Sequence, residues 1–213
     1  MPSKTGLFIS FEGIDGVGKS TQADLMEQYL ISRNLKVIRT FEPGGTDLGQ
    51  EIRHLLLHRK GEVSARSEAL LYAADRAHHV ASKILPALQK GEVVITDRFL
   101  DSSVAYQGAG RELDLKEIRD LSLWAVQNLL PDLTVLLDLD AETANARRST
   151  TGTEPDRLER EKISFFEAAR NSYLSLAKNE PNRFLVVDAT GSQEKLWEQI
   201  QVRLDQVLEE KGL

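Results

Sequence analysis

Short runs of apolar, often β-branched residues alternate along this chain with longer stretches in which apolar residues recur every three or four positions. Leu7–Phe11 (LFISF) is short, apolar and followed by glycines, which predicts a buried strand. Ser20–Ser32 places Leu25, Met26, Tyr29 and Leu30 on one face of a helix. Lys36–Phe41, Glu92–Thr96, Leu133–Leu139 and Arg183–Asp188 read as four further strands. Helices are expected at Asp47–His58, with Asp47 as N-cap, and at Ser64–Lys90, kinked at Pro86 and stopped by Gly91. Leu113–Leu130, Ala141–Arg148, Arg157–Lys178 and Ser192–Lys211 complete the helices, and the polar Ser149–Pro155 segment predicts a loop. Buried strands separated by helices predict an α/β fold of three layers, a five-stranded parallel sheet flanked by helices. Such sheets bind ligands at the carboxyl ends of their strands, so informative residues should follow the strands.

Length and composition narrow the classes. The chain has 213 residues, 41% apolar and 28% charged, which suits a soluble protein of one α/β domain or two very small ones, and one domain over 1–213 is expected. A net charge of -6 disfavours a general nucleic-acid binder. With no cysteine, disulfides, a thiol nucleophile and thiolate-bound zinc are excluded. The N-terminus lacks the pattern of a signal peptide and no run is long enough for a membrane span, so a cytoplasmic location and no membrane partner are expected.

Directly after the first strand stands Gly13-Ile14-Asp15-Gly16-Val17-Gly18-Lys19-Ser20-Thr21, which fits G-x-x-x-x-G-K-[ST] in the strand–loop–helix context that motif requires. The glycines let backbone N–H groups converge on one point, to which the following helix adds its dipole. This predicts a P-loop NTPase fold and ATP as ligand. Lys19 is expected to reach the β- and γ-phosphates, and the Ser20 hydroxyl to ligate Mg²⁺. No Asn-Lys pair exists, so the base-reading N-K-x-D of GTPases is missing. A small-molecule kinase fits the chain size better than a motor.

Asp97-Arg98 closes the third strand. Asp97 is expected to help hold Mg²⁺ and Arg98 to meet the acceptor phosphate; the alternative for Arg98 is an ion pair with Asp97 or another acid. Arg147, Arg148, Arg157, Arg160 and Lys162 flank the polar loop and predict a small lid over about 147–162. The alternative is a solvated helix face, because Glu154, Asp156, Glu159 and Glu161 are interleaved. His54 and His58 share a face at i, i+4 but lack an acidic partner, and read as surface residues.

Five segments in order resemble bacterial thymidylate kinases. They are Phe11–Gln22, Glu42-Pro43-Gly44-Gly45-Thr46, Leu70–Arg76 (LLYAADR), Asp97–Gly108 (DRFLDSSVAYQG), and Asp156-Arg157 with Glu159. The resemblance implies ATP-dependent phosphorylation of dTMP to dTDP by direct in-line transfer, for dTTP biosynthesis, by a homodimer. It implies that Tyr72 stacks on thymine, that Arg76 bonds a base carbonyl, and that Ser103 and Gln107, beside Ser102, make polar contacts on the base side. Asp15 would lie near the deoxyribose 3′-hydroxyl or help position phosphate. Arg98 would hold the dTMP phosphate, Tyr106 would pack under the sugar, and Glu42 and Pro43 would shape the pocket wall. Gly16 stands where some relatives carry an arginine, so the resemblance moves the catalytic cation to the lid, at Arg157. Without the resemblance, Tyr72 reads equally as core, Asp75-Arg76 as a surface pair and Ser102-Ser103 as a helix cap. Rival readings are a kinase for another acceptor and a nucleotide sensor without turnover.

Overall fold

The computed structural model describes residues 5–149 and 155–213. Five parallel strands form one sheet: β1 (Phe8–Glu12), β2 (Val37–Phe41), β3 (Val93–Asp97), β4 (Leu133–Asp138) and β5 (Phe184–Asp188), in the order β2-β3-β1-β4-β5. Successive side chains point to opposite faces of a strand. Ile9 and Phe11 of β1 and Val93 and Ile95 of β3 enter one core, while Phe8 and Val94 enter the other. Both faces of the sheet are therefore apolar, as a parallel sheet under helices demands. Phe11 is in register with Asp97 and Phe41 with Asp97, so the carboxyl ends of β1, β2 and β3 reach one rim together.

The helices are α1 (Lys19–Ser32), α2 (Asp47–Leu57), α3 (Ala65–His79), α4 (Leu85–Gln89), α5 (Leu100–Ser103), α6 (Leu115–Ala125), α7 (Ala141–Ser149), α8 (Ile163–Asn179) and α9 (Gln193–Lys211). Several bounds differ from the sequence reading, each for a local reason. Asp47 is the first residue of α2 and not its cap; Thr46 Oγ1 accepts from Gly49 N at 3.0 Å. The stretch from 65 to 89 is interrupted by a π-helical turn at Val80–Ile84. That turn contains Ser82, four residues before Pro86, where an α-helix would meet the proline ring.

Helix α8 starts at Ile163, not Arg157. Asp156 Oδ1 accepts from Leu158 N and Glu159 N at 2.8 and 2.9 Å, closing a separate turn ahead of the helix. Helix α6 stops early because Gln127 and Asn128 take positive φ.

The segment after β3 continues from α5 into a π-helical stretch, Val104–Gly110, which is buried over most of its length and packs against α8. Ser102 and Ser103 lie inside this helical run and do not cap it. The guanidinium of Arg183, just before β5, grips Asp101 of α5 through two bonds of 2.7 and 2.9 Å. This pair pins the segment that follows β3. Part of the expected lid, residues 150–154, lies outside the described residues. Among the described residues no helix is long and apolar enough to cross a membrane.

Candidate active site

The Gly13–Thr21 loop joins β1 to α1 at the rim of the sheet. Its tightness is enforced at Gly16, with φ 89°, where an added Cβ would lie 2.2 Å from the Ala144 carbonyl oxygen of α7. Lys19 folds back over the loop, donating to Gly13 O at 3.1 Å and Ile14 O at 3.0 Å. Burial, and then the positive charge of Arg98, lower its pKa, while Asp15 at 3.7 Å opposes them. Ser20 Oγ donates to Asp97 Oδ2 at 3.1 Å, so both predicted magnesium ligands meet at the loop's mouth.

Arg98 leaves β3 with φ 69°, a left-handed conformation that costs about 1 kcal/mol or more for a residue with a Cβ. Its N–H is bonded to Phe11 O at 2.9 Å, which ties the turn to β1. The turn aims the guanidinium back across the loop. Nη2 donates to Asp15 Oδ1 at 2.7 Å and Tyr106 OH at 3.0 Å; Nη1 donates to Ser102 Oγ at 3.1 Å and Tyr173 OH at 3.2 Å. Burial would raise the pKa of Asp15, but Arg98 and then Lys19 hold it well below the usual carboxylate range. The predicted alternative for Arg98 is thus half right: it is ion-paired, with Asp15, yet still lines the cleft.

Behind this corner sits Glu12, the fully buried last residue of β1. Its Oε1 accepts from Phe99 N at 2.8 Å, and its Oε2 from Ser102 Oγ at 2.7 Å and Tyr173 OH at 2.9 Å. Burial, reinforced by Asp101, pushes its pKa up to about 7.

A second cleft adjoins the loop. Tyr72, Arg76, Ser102, Ser103, Tyr106 and Gln107 line it together with Pro43 and Leu57. Arg76 is buried, not a surface pair with Asp75: Nε donates to Glu42 Oε2 at 2.6 Å and Nη1 to Ser103 Oγ at 2.9 Å. His79, also buried, closes the other side of Glu42 at 2.9 Å and meets Thr40 Oγ1 at 2.7 Å. Burial would favour the protonated form of Glu42, but Arg76 overrides it and lowers the pKa. Tyr72 is both pocket wall and core, with burial raising its phenol pKa. The two clefts share a wall formed by Asp15, Glu42, Arg53, Arg98 and Glu159.

The arginines around the expected lid divide. Arg147 and Arg148 line the cleft at the Gly13–Thr21 loop beside Lys19 and Ser20, and Arg148 approaches Glu159 at 3.5 Å. Arg157, expected to be the catalytic cation, is brought to neither cleft. Its Nε donates to Leu56 O at 2.7 Å and its Nη2 to the buried Glu68 at 2.5 Å. His54 and His58 are exposed, and among the described residues no cluster of three or more His, Asp or Glu side chains is arranged to hold a metal.

The thymidylate kinase family profile matches residues 11–200. The chain belongs to the thymidylate kinase family. It is 60% identical over 203 residues to thymidylate kinase of Leifsonia xyli subsp. xyli, covering 95% of this chain and 96% of that one. It is 47% identical over 197 residues to thymidylate kinase of Halothermothrix orenii, covering 92% and 94% of the two chains. The crystal structure of thymidylate kinase from Ehrlichia chaffeensis superposes with a TM-score of 0.76 at 32% identity, covering 93% of this chain and 98% of that one. Thymidylate kinase membership was legible from the motifs, whereas Glu12, Arg53, Glu68 and Tyr173 were not singled out by sequence. Glu12 could have been noticed as a carboxylate ending an otherwise apolar strand; Tyr173 offered no signal beyond its place on an apolar helix face.

Proposed function

We propose that this chain transfers the γ-phosphoryl group of ATP directly to dTMP, giving ADP and dTDP. The observation that carries this reading is the shared wall: a P-loop cleft for a triphosphate meets a cleft lined by an aromatic ring, an arginine and amide and hydroxyl groups, and Asp15 and Arg98 stand between them. A donor phosphate and an acceptor phosphate bound in the two clefts would face each other across Arg98.

The loop amides of Gly13–Thr21 and Lys19 bind the β- and γ-phosphates. Lys19 exchanges its bonds to Gly13 O and Ile14 O for phosphate oxygens. The hydroxyl of Ser20 and the carboxylate of Asp97 are hard oxygen donors 3.1 Å apart, a set that fits Mg²⁺. When bound, Mg²⁺ supplies neutralising charge at the β- and γ-oxygens. Arg98 holds the acceptor phosphate, and Arg53 adds a second cation on the same wall. Tyr72 stacks on the base and Arg76 donates to a base carbonyl, with Ser102, Ser103 and Gln107 around it; Tyr106 packs under the sugar, and Glu42 and Pro43 close the wall. Asp15, kept ionised, orients Arg98 and faces the sugar. The acceptor phosphate oxygen is already an anion, so no general base is required; positioning and charge carry the catalysis. Arg148 is assigned the lid role first expected of Arg157, because it borders the phosphate cleft. We further infer one kinase domain over 1–213 with a lid near 147–162, acting as a cytoplasmic homodimer.

The test is ADP release from Mg-ATP with dTMP, dUMP, UMP, dCMP, AMP, GMP and thymidine offered in parallel. Preferred turnover of dTMP that is lost in Lys19→Ala and Arg98→Ala is the expected result. Preference for another acceptor would retain the kinase and remove the base-site assignments; ATP binding without acceptor-dependent turnover would leave a sensor.

A further inference from the structure

Glu68 lies one helical turn before Tyr72 on α3, is fully buried, and has no part in the reaction described above. Four donor bonds converge on its carboxylate. Gln107 Nε2 donates to Oε1 at 2.9 Å. Arg111 reaches Oε1 through Nε and Oε2 through Nη2, each at 3.2 Å. Arg157 Nη2 donates to Oε2 at 2.5 Å. Burial would favour the protonated acid, but the bonds from Arg111, Gln107 and Arg157 override it and lower the pKa. An ionised carboxylate can only accept hydrogen bonds.

A side-chain amide has one shape and two chemistries, and its orientation follows from what each end faces. Beside an acceptor-only Glu68, the NH₂ of Gln107 must point inward. The carbonyl oxygen is then the end that Gln107 has left for the cleft it lines. Thymine carries a hydrogen on N3; cytosine carries a lone pair there. A carbonyl oxygen pairs with the first and repels the second.

We propose that Glu68 is a specificity-determining positioning residue: it locks the Gln107 amide with its carbonyl toward the base, so that the cleft takes pyrimidines bearing an N3–H and rejects cytosine. The proposal rests on the assignment of Gln107 to the base site. It also gives Arg157 a purpose, since Arg157 holds the same carboxylate at Oε2 while Arg111 spans both of its oxygens.

The experiment measures kcat and KM for dTMP and dCMP in the unaltered enzyme, Glu68→Gln, Glu68→Asp and Gln107→Leu. Glutamine at position 68 has the same size but can donate or accept, so Gln107 is released to turn its NH₂ toward cytosine N3. The dTMP-to-dCMP ratio of kcat/KM is expected to fall at least about tenfold in Glu68→Gln, the worth of roughly one hydrogen bond, with dCMP turnover rising in absolute terms. Glu68→Asp keeps an acceptor and is expected to keep the ratio. A merely structural role would depress both substrates together and leave the ratio unchanged, which overturns the proposal. An unchanged ratio in Gln107→Leu removes the base-site assignment and the proposal with it; a collapsed ratio there, with none in Glu68→Gln, overturns the proposal alone. A second measurement needs no folded Glu68 variant. The side-chain amide protons of Gln107, assigned by their loss in Gln107→Met, are expected to exchange slowly with water in the nucleotide-free enzyme, and rapid exchange overturns the lock.

Discussion

Replacing Glu12 with glutamine should make the enzyme more stable at alkaline pH and leave it nearly unchanged at acid pH. In the fold the Glu12 carboxyl is pushed up to about 7 from an ordinary 4.5, by burial first and then by Asp101. Ionising it therefore costs more in the fold than in the unfolded chain. Its contribution to stability is fully present below pH 4.5, where both states hold the proton, and is lost as pH rises through about 7. The gap between about 7 and 4.5, at about 1.4 kcal/mol per pH unit, makes that loss roughly 3 kcal/mol. Glutamine fits the bonding pattern of the protonated acid. Its oxygen can accept from Phe99 N, and its NH₂ can donate to the hydroxyls of Ser102 and Tyr173, which can serve as acceptors. Urea unfolding of both proteins at pH 5, 6, 7 and 8 reads the difference. Stabilities within about 1 kcal/mol at pH 5, with Glu12→Gln ahead by up to roughly 3 kcal/mol at pH 8, are expected. Parallel curves across that range, or a variant that falls behind as pH rises, would refute the reasoning, because either means the buried carboxylate is ionised at no net cost.

Three further changes test other parts of the site. Lys19→Ala removes the charge proposed to meet the phosphates, and should lower kcat in ADP release at least about a hundredfold while leaving the thermal midpoint near that of the parent. Gly16→Ala places a Cβ 2.2 Å from Ala144 O at φ 89°, so the loop must open against α7; calorimetry should show a lower midpoint, and ATP titration a Kd raised about tenfold or more. Arg76→Met strands the fully buried Glu42 without its guanidinium partner, and urea unfolding at pH 7 should register a loss of about 3–5 kcal/mol.

What the sequence disclosed and what it hid follow one division. The Gly13–Thr21 loop and Asp97-Arg98 stood out because each gathers its polar groups in neighbouring positions at a strand end, whereas Tyr72 through Arg76 stood out only through the family resemblance, since on the residues alone Tyr72 reads as core and Asp75-Arg76 as a surface pair. The supports of that chemistry come from far away in the chain. Tyr173 reaches Glu12 across 161 residues, and its hydroxyl is concealed in a helix face whose other members, Phe165 and Phe166, are plain core. Glu68 is joined to Arg157 across 89 residues, and motif spacing alone cannot say which way a lid-root arginine turns. The helical run after β3 entered the sequence reading only as the short helix that Ser102-Ser103 would cap, because Gly108 and Gly110 weaken its local signal; its order comes from tertiary burial, with Phe165 of α8 lying 2.6 Å from where a Gly110 Cβ would stand.

The position of Arg98 shows what those remote supports do for the shared wall. An arginine entering the shared wall by a left-handed turn has no regular backbone element to hold its side chain. Its aim is set instead by one acid, Asp15, and three hydroxyls, those of Ser102, Tyr106 and Tyr173. Two of the hydroxyls, Ser102 and Tyr173, are themselves bonded to Glu12, which also receives the Phe99 amide. Glu12 thus braces the turn on its backbone side and on its side-chain side at once. Neutral hydroxyls satisfy the guanidinium without cancelling its charge, so it can hold still and still attract a phosphate. Further carboxylates in their place would fix the same geometry and spend the charge on ion pairs. The corner is rigid because its partners are many, and cationic toward a ligand because only one of the four direct partners is an acid.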